Sequence, residues 1–317
     1  MVASARPAKV APGFASGRVP KEKAQKPLFS RVAFIGIGLI GASMALAIRR
    51  ARAADAIVCC DSNPKARKTA LDLGIVNEAF KDAGKAVKGA DLVVIATPVR
   101  SYAAIAKAIA PHLKPGAILT DTGSVKKDVI ASVMPHLPKA VHFVPGHPIA
   151  GTEHSGPEAG FAELFQNRWS ILTPPPGTSP KAAAKVAELW RRIGAKVDIM
   201  EPDHHDMVLA ITSHLPHLIA YTIVGTATDL EGDLKREVIK YSASGFRDFT
   251  RIAASDPVMW RDIFLTNGPA VLEILQRFTE DLTALQKAIR KADGKTLEDL
   301  FTRTRAVRRS IIDARQA

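Results

Sequence analysis

The sequence has 317 residues, 47% hydrophobic, 24% charged and 6% aromatic, with 21 glycines, 21 prolines and a formal net charge of +13. This composition excludes a fibre, a collagen and a chain disordered throughout, and the length suits roughly two domains, each with its own core. Cys59 and Cys60 are the only cysteines, and neighbours on a strand point to opposite faces, so neither a disulfide framework nor a cysteine zinc site is expected.

The positive charge is concentrated at the ends. Residues 1–30 carry a net +5 and the segment from Lys287 onward another +5, leaving +3 for the middle. That distribution is compatible with a small anionic substrate, and without an aromatic-interleaved basic motif no nucleic-acid partner is expected. Apolar stretches are interrupted by Gly, Arg, His or Pro before they reach the ~20 residues that a bilayer span needs, so no membrane segment is expected either.

Residues 1–30 are mainly Ala, Pro, Lys, Gly and Ser and cannot recover the entropy of ordering, which predicts a disordered basic tail. With no apolar signal core, a cytoplasmic location is the default. From Arg31 short apolar runs alternate with helical periodicity. Strands are expected at Arg31–Ile35, Ala56–Cys60, Leu92–Ala96, Ala117–Thr120 and His142–Val144. The intervening helices are Leu39–Arg52, Asn63–Leu73, Tyr102–His112 and Lys126–Met134. The alternation predicts a Rossmann-type α/β fold over residues 31–200: a doubly wound parallel sheet, with Trp169–Leu172 and Lys196–Ile199 as later strands of the same sheet.

After Glu201 the strand signals stop. Asp203–Leu230 reads as one apolar helix interrupted by Pro216, followed by helices at Leu234–Ser242, Pro257–Leu265, Ala270–Lys291 and Leu297–Ala314. Residues 201–317 are thus predicted to form an all-helical substrate-binding domain whose apolar faces pack against a second copy.

Gly36-Ile37-Gly38-Leu39-Ile40-Gly41 directly follows the first strand and opens a helix. In that context Gly36 permits a tight turn, Gly38 lets the backbone approach a pyrophosphate, and Gly41 allows close packing of helix on strand. The N-terminus around Leu39 and Ile40 turns unpaired N–H groups and a partial positive charge toward the phosphates. Asp61 ends the second strand, where a carboxylate accepts from ribose hydroxyls and repels a 2′-phosphate, favouring NAD over NADP; Arg67 nearby softens that preference. A helix cap is the plainer role for Asp61. Thr97 and Pro98 end a further strand at the carboxyl edge, where they would line the cofactor cleft.

Ser124, in Asp121-Thr122-Gly123-Ser124-Val125-Lys126, either caps the next helix or presents its hydroxyl to substrate or nicotinamide, or does both. His147 lies between Gly146 and Pro148 and is expected in a rigid loop at the sheet edge. An imidazole there can take a hydroxyl proton as hydride leaves the same carbon. His214 and His217 flank Pro216. Two histidines at that spacing are half a metal site, but no further ligands complete it, so no metal is expected and substrate binding by His217 is preferred. Arg247 and Arg251 share a helix face and can meet carboxylates, unless one is bridged to Asp248 or Asp262.

Taken in order, GIGLIG, DTGSVK, GHPIAGTEHSG, HLPH and GFRDFTRIAASDPVMWRDIFLTN resemble the prephenate/arogenate (cyclohexadienyl) dehydrogenases of tyrosine biosynthesis, over about residues 31–280. The resemblance implies an NAD(P)-dependent oxidative decarboxylation of a cyclohexadienol. The C4 hydroxyl proton passes to a base as hydride leaves C4, carbon dioxide leaves C1, and aromatisation drives the reaction. It also implies that His147 is the base, that Ser124 orients the hydroxyl, and that His217 and Arg251 bind substrate. Thr152, Glu153 and Trp260 would line the pocket, and the helical domain would form a homodimer. Relatives often carry a fused chorismate mutase or a C-terminal regulatory domain, and neither fits the residues here. Tyrosine competition at the active site stays open, as does the choice between prephenate and arogenate, for which Glu153 could pair with an ammonium. Two other readings compete: a β-hydroxyacid-type dehydrogenase, whose helical-domain lysine motif has no counterpart around Lys240, and a non-catalytic nucleotide sensor, which leaves His147 without a purpose.

Overall fold

The structure, a computed structural model, describes residues 26–229 and 232–313. Nine strands lie in the first two-thirds: β1 (Phe29–Ile35), β2 (Ala54–Cys60), β3 (Glu78–Phe80), β4 (Leu92–Ile95), β5 (Ile118–Asp121), β6 (His142–Val144), β7 (Gly146–Pro148), β8 (Trp169–Leu172) and β9 (Lys196–Ile199). Between them run α1 (Leu39–Arg50), α2 (Pro64–Asp72), α3 (Ala83–Val87), α4 (Tyr102–Ile109), α5 (Lys127–Val133) and α6 (Pro180–Arg192).

Strands β1 to β6 form a parallel sheet in the order β3-β2-β1-β4-β5-β6, the doubly wound arrangement expected from the alternating pattern. Alternate residues feed two cores. Val32, Phe34, Leu92 and Val94 pack on the side of α1, α6 and Trp190, while Ala33, Ile35, Val93 and Ile95 pack on the side of Tyr102 and Ile109. A strand covered on both faces is apolar throughout, which is why these runs carry no polar alternation. Cys59 and Cys60 divide the same way and stay unpaired; burial pushes the Cys59 thiol up to about 12.

Two expectations are corrected here. β8 and β9 do not extend the large sheet. With β7 they form a separate three-stranded sheet, in which β7 is antiparallel to β8 and β8 parallel to β9. Pro145 lies between β6 and β7, and its carbonyl accepts from Thr173 N–H (3.0 Å), so the chain leaves the large sheet there. The first strand also starts earlier than expected: Phe29 is buried and begins β1, and Ser30 and Arg31 N–H donate to Asp91 Oδ2 at 2.6 and 3.0 Å. Residues 1–25, most of the predicted tail, lie outside the described residues.

From Pro202 the chain is helical: α7 (Pro202–Leu209), a π turn at Ala210–His214, α8 (Leu215–Thr228), α9 (Gly232–Tyr241), α10 (Ser244–Thr250), α11 (Pro257–Thr266), α12 (Gly268–Arg290) and α13 (Gly294–Asp313). The expected break at Pro216 is instead a widened turn just ahead of it. The chain is helical without interruption from Pro202 to Thr228, and the widened turn accommodates Pro216, which has no N–H to give to the turn before it. The run Pro202–Thr228 is, contrary to the sequence reading, long and apolar enough by composition to cross a membrane. Its His205, Asp206 and His214 side chains are nevertheless buried inside the protein, where they build the site described next.

Candidate active site at the junction of sheet and helices

The glycine turn has the form that a dinucleotide needs. Gly36 has φ +92°, and a Cβ there would lie 2.6 Å from the Ala96 carbonyl oxygen and 2.7 Å from Thr97 Cγ2. A Cβ on Gly41 would lie 2.4 Å from the Gly36 carbonyl oxygen, whereas one on Gly38 would meet nothing within 4 Å. The turn is therefore closed on the protein side at two glycines and open at the third, beside the N-terminus of α1, which has no side-chain cap. Asp61 is anchored to this turn: Ile37 N–H donates to its Oδ2 (3.0 Å) and Asn63 N–H to its Oδ1 (2.8 Å). Capping of α2 falls to Asn63, not Asp61. Arg67 folds back onto the Asp61 and Ser62 carbonyls (2.6 and 3.1 Å). Thr97 Oγ1 is 2.8 Å from Ser101 Oγ, and Pro98 precedes a short 3-10 turn. The residues present thus fit a nucleotide: backbone N–H groups at Gly38, Leu39 and Ile40 for phosphates, and Asp61 for a ribose.

His147 lies on β7, a strand rather than the predicted loop, paired with Ile171 of β8. The residue before it is held at both backbone atoms. Gly146 N–H donates to Asp121 Oδ1 (3.1 Å) and its carbonyl accepts from Lys126 Nζ (2.7 Å). Lys126 and Asp121 are themselves a fully buried ion pair at 2.5 Å, and Asp121 also accepts from Gly123 N–H (2.8 Å). A lysine in a DTGSVK segment gives no sign in sequence of being wholly buried, and neither member of this pair was singled out beforehand. Here the ammonium replaces water as the donor that fixes the backbone beside His147.

The helical half supplies the rest. His147 Nδ1 is 2.9 Å from His205 Nε2, and His205 Nδ1 is 2.8 Å from Asp206 Oδ1. Asp206 also receives the backbone N–H groups of Lys126 (2.8 Å) and Lys127 (2.9 Å), so it caps α5 from a different part of the chain. Ser124 does not cap that helix, contrary to one of its two expected roles. It is half-buried, and among the described residues its hydroxyl has no hydrogen-bond partner. Burial is the main cause holding the His147 imidazole well below its ordinary range, aided by His205, Lys126 and His214, so the ring is neutral. Burial likewise lowers His205, and takes His214 down to about 4.

Around this centre, Trp260 stacks on His217 (centroids 3.6 Å apart) and meets His214 edge-on (6.1 Å). His217 Nδ1 donates to the Ser213 carbonyl (2.8 Å), and His214 Nδ1 lies 3.0 Å from Asn267 Nδ2. Among the described residues, the buried indole N–H of Trp260 and Nε2 of His214 have no hydrogen-bond partner. Val125 packs with Trp260 and Ile263, bringing the segment of Ser124 against the helical half. Arg251 reaches Glu153 at 3.3 Å, and both side chains are partly exposed. The alternative bridges for Arg247 are not formed: Asp262 pairs with Arg261 (2.7 Å), and Arg247 is exposed and makes no ion pair among the described residues. Thr152 and Glu153 line an open cavity of about 660 Å³, in the exposed continuation of the segment that carries His147.

Comparison with known proteins agrees with this architecture. Residues 44–199 match the nucleotide-binding domain of prephenate dehydrogenase, and residues 201–303 match its dimerization domain. The chain is 43% identical to the cyclohexadienyl dehydrogenase of Zymomonas mobilis over 89% of this chain and 96% of that protein. It is 36% identical to the prephenate dehydrogenase of Bacillus subtilis over 84% of this chain and 71% of that protein. Among solved structures, the prephenate dehydrogenase of A. aeolicus in complex with hydroxyphenyl propionate and NAD+ superimposes with a TM-score of 0.82 at 37% identity, covering 89% of this chain and 98% of that one. The arogenate dehydrogenase of Synechocystis gives a TM-score of 0.75 at 28% identity, covering 89% of this chain and 99% of that one. With a nucleotide turn on the sheet, a neutral imidazole at the sheet edge and matching domains on both sides, the chain belongs to the prephenate dehydrogenase family and is an oxidoreductase.

Proposed function

We propose that this enzyme uses NAD to oxidise and decarboxylate prephenate, arogenate or both, giving 4-hydroxyphenylpyruvate or tyrosine in aromatic amino acid biosynthesis. The observation that carries this reading is the position of His147: a buried, neutral imidazole on the nucleotide-binding half, in hydrogen-bond reach of the helical half. NAD, when bound, accepts the hydride from C4 of the ring. His147 takes the C4 hydroxyl proton as the C4 carbonyl forms, which is the task for which a neutral ring is required. Loss of the C1 carboxylate as carbon dioxide then leaves its electron pair in the ring, which becomes aromatic.

Ser124, with an unengaged hydroxyl in a segment packed against the helical half, orients the substrate hydroxyl. Arg251 gives a guanidinium to a substrate carboxylate, exchanging its exposed contact with Glu153 for a charge-assisted pair. Arg247 adds a second cation nearby. His217, held flat on Trp260 with its Nδ1–H spent on Ser213, keeps Nε2 for the ligand. Thr152, Glu153 and Trp260 line the pocket. Gly36, Gly38, Leu39, Ile40 and Gly41 hold the pyrophosphate, Asp61 the adenine ribose, and Thr97 and Pro98 the cleft wall. Asp61 favours NAD, and Arg67, turned back onto carbonyl oxygens, does not present itself to a 2′-phosphate.

Residues 31–200 act as the nucleotide domain and 201–317 as the substrate and dimerisation domain, with two copies joined through the apolar helices. The location is cytoplasmic. The test is reduction of NAD, followed at 340 nm, with purified prephenate and purified arogenate in separate assays. Turnover of either supports the reading; no reduction with either, in protein that binds NAD, overturns it.

A further inference from the structure

Asp206, His205 and His147 form a continuous buried series, and the chemistry of its first member fixes the protons along the rest. Asp206 accepts a backbone N–H at each oxygen, from Lys126 at 2.8 Å and from Lys127 at 2.9 Å, the arrangement that suits an ionised carboxylate. A carboxylate in that state has no proton to offer, so at 2.8 Å His205 Nδ1 must donate to it. A neutral His205 is then left with a lone pair at Nε2. That lone pair faces His147 Nδ1 at 2.9 Å, and two lone pairs at this separation would repel, so His147 Nδ1 carries its hydrogen. The neutral His147 ring thus has its bare nitrogen at Nε2. Lys126 and His214 are the other ionisable groups that act on His147, and the Lys126 ammonium is paired with Asp121.

We propose that His205, oriented by Asp206, is a positioning residue that locks His147 in the tautomer with a bare Nε2 and holds its ring in place. The inference rests on the reading of His147 as the base. It deepens that reading by assigning the accepting atom and the residue that selects it. When Nε2 takes the substrate proton, the Nδ1–H bond to His205 is retained, and the Asp206 charge lies one ring further along the same line. The logic is that of an acid orienting a histidine for a nucleophile, with an imidazole inserted between the two.

Nitrogen-15 spectra of histidine-labelled protein, with His147 assigned by difference from His147→Asn, report the tautomer independently of turnover. In the wild type His147 is expected as the Nδ1–H form. In His205→Phe, which keeps a ring but no acceptor, the Nε2–H form is expected to appear, with kcat lower by about 10–100-fold and KM within about threefold. His205→Gln, whose amide oxygen can accept, should restore the Nδ1–H form and most of kcat. A wild-type Nε2–H ring, or a His205→Phe enzyme that keeps both tautomer and kcat, overturns the proposal. If His205→Phe does not fold, the wild-type and His205→Gln spectra decide. A protein that shows the predicted tautomers but oxidises neither prephenate nor arogenate would instead count against the substrate assignment alone.

Discussion

Helix α1 buries eight of its twelve residues, whereas α8, with fourteen residues of mostly apolar type, buries Ala220 alone. The contrast extends to the halves that contain them. In the sheet half, successive residues of the large sheet's inner strands are absorbed by the two cores, so most of their apolar sequence is covered within the chain. In the helical half, Phe249, Val258, Leu265, Leu272 and Leu282 stay exposed, and the buried clusters there are small. One half covers most of its apolar side chains within a single chain, leaving a few such as Leu73 and Ile199 exposed. The other carries more apolar surface than one chain covers, which the proposed dimer would remove from water.

The sharpest way to test this division of labour is to remove the chemistry from the self-sufficient half. His147→Asn should lower kcat by ~10²–10⁴ while substrate still binds, as for a lost general base; steady-state kinetics check it, and undiminished kcat would place the proton acceptor elsewhere. Next comes stability at the seam. Asp121→Ala leaves the Lys126 ammonium buried without its partner and should cost about 3–5 kcal/mol, read from urea midpoints. A variant as stable as wild type would mean that water or Asp206 replaces the lost carboxylate.

Acid should act on the same seam from both sides. An unfolded histidine protonates near its ordinary 6.5, but His214 resists until about 4, and His147 and His205 are also lowered, so the unfolded state binds more protons in between. Their contribution is complete above pH 6.5 and is lost as the pH falls toward 4. For His214 alone the loss is about 3 kcal/mol over that window. Denaturation midpoints measured from pH 7 to 4 would show it, and a flat profile to pH 4 would contradict it. The smallest effect is expected at the exposed rim: Arg251→Gln should raise KM about 10–100-fold with little change in kcat, the range for losing a hydrogen bond to a charged group. An unchanged KM would return Arg251 to its contact with Glu153.

What could be read in the sequence follows the same boundary. Gly36 to Gly41, with a strand before and a helix after, is a local signal, and Gly41 is closed by the Gly36 carbonyl within those six residues, although Gly36 itself is pressed by Ala96 and Thr97 from the end of another strand. The short apolar runs of the strands are equally local. β3 and α3 were missed because Glu78–Phe80 and Ala83–Val87 are too short to show a period. His205 and Asp206 were missed because Pro-Asp-His-His-Asp reads as the polar start of a helix. Their partners lie 58 and about 80 residues away, so nothing nearby marks them. The one available sign was an acid next to a histidine near the head of an apolar helix. His147 was placed at the sheet edge from its Gly-Pro surroundings, yet the second small sheet that holds it depends on β8, more than twenty residues on.

Asp206 gives one carboxylate two duties on opposite sides of a boundary: it terminates a helix of the sheet half and anchors a ring of the helical half. Opening the two halves like jaws would uncap the one and release the other in a single motion. One side chain thus ties the start of a helix on the sheet half to the ring order of the helical half, so the two cannot be disturbed separately.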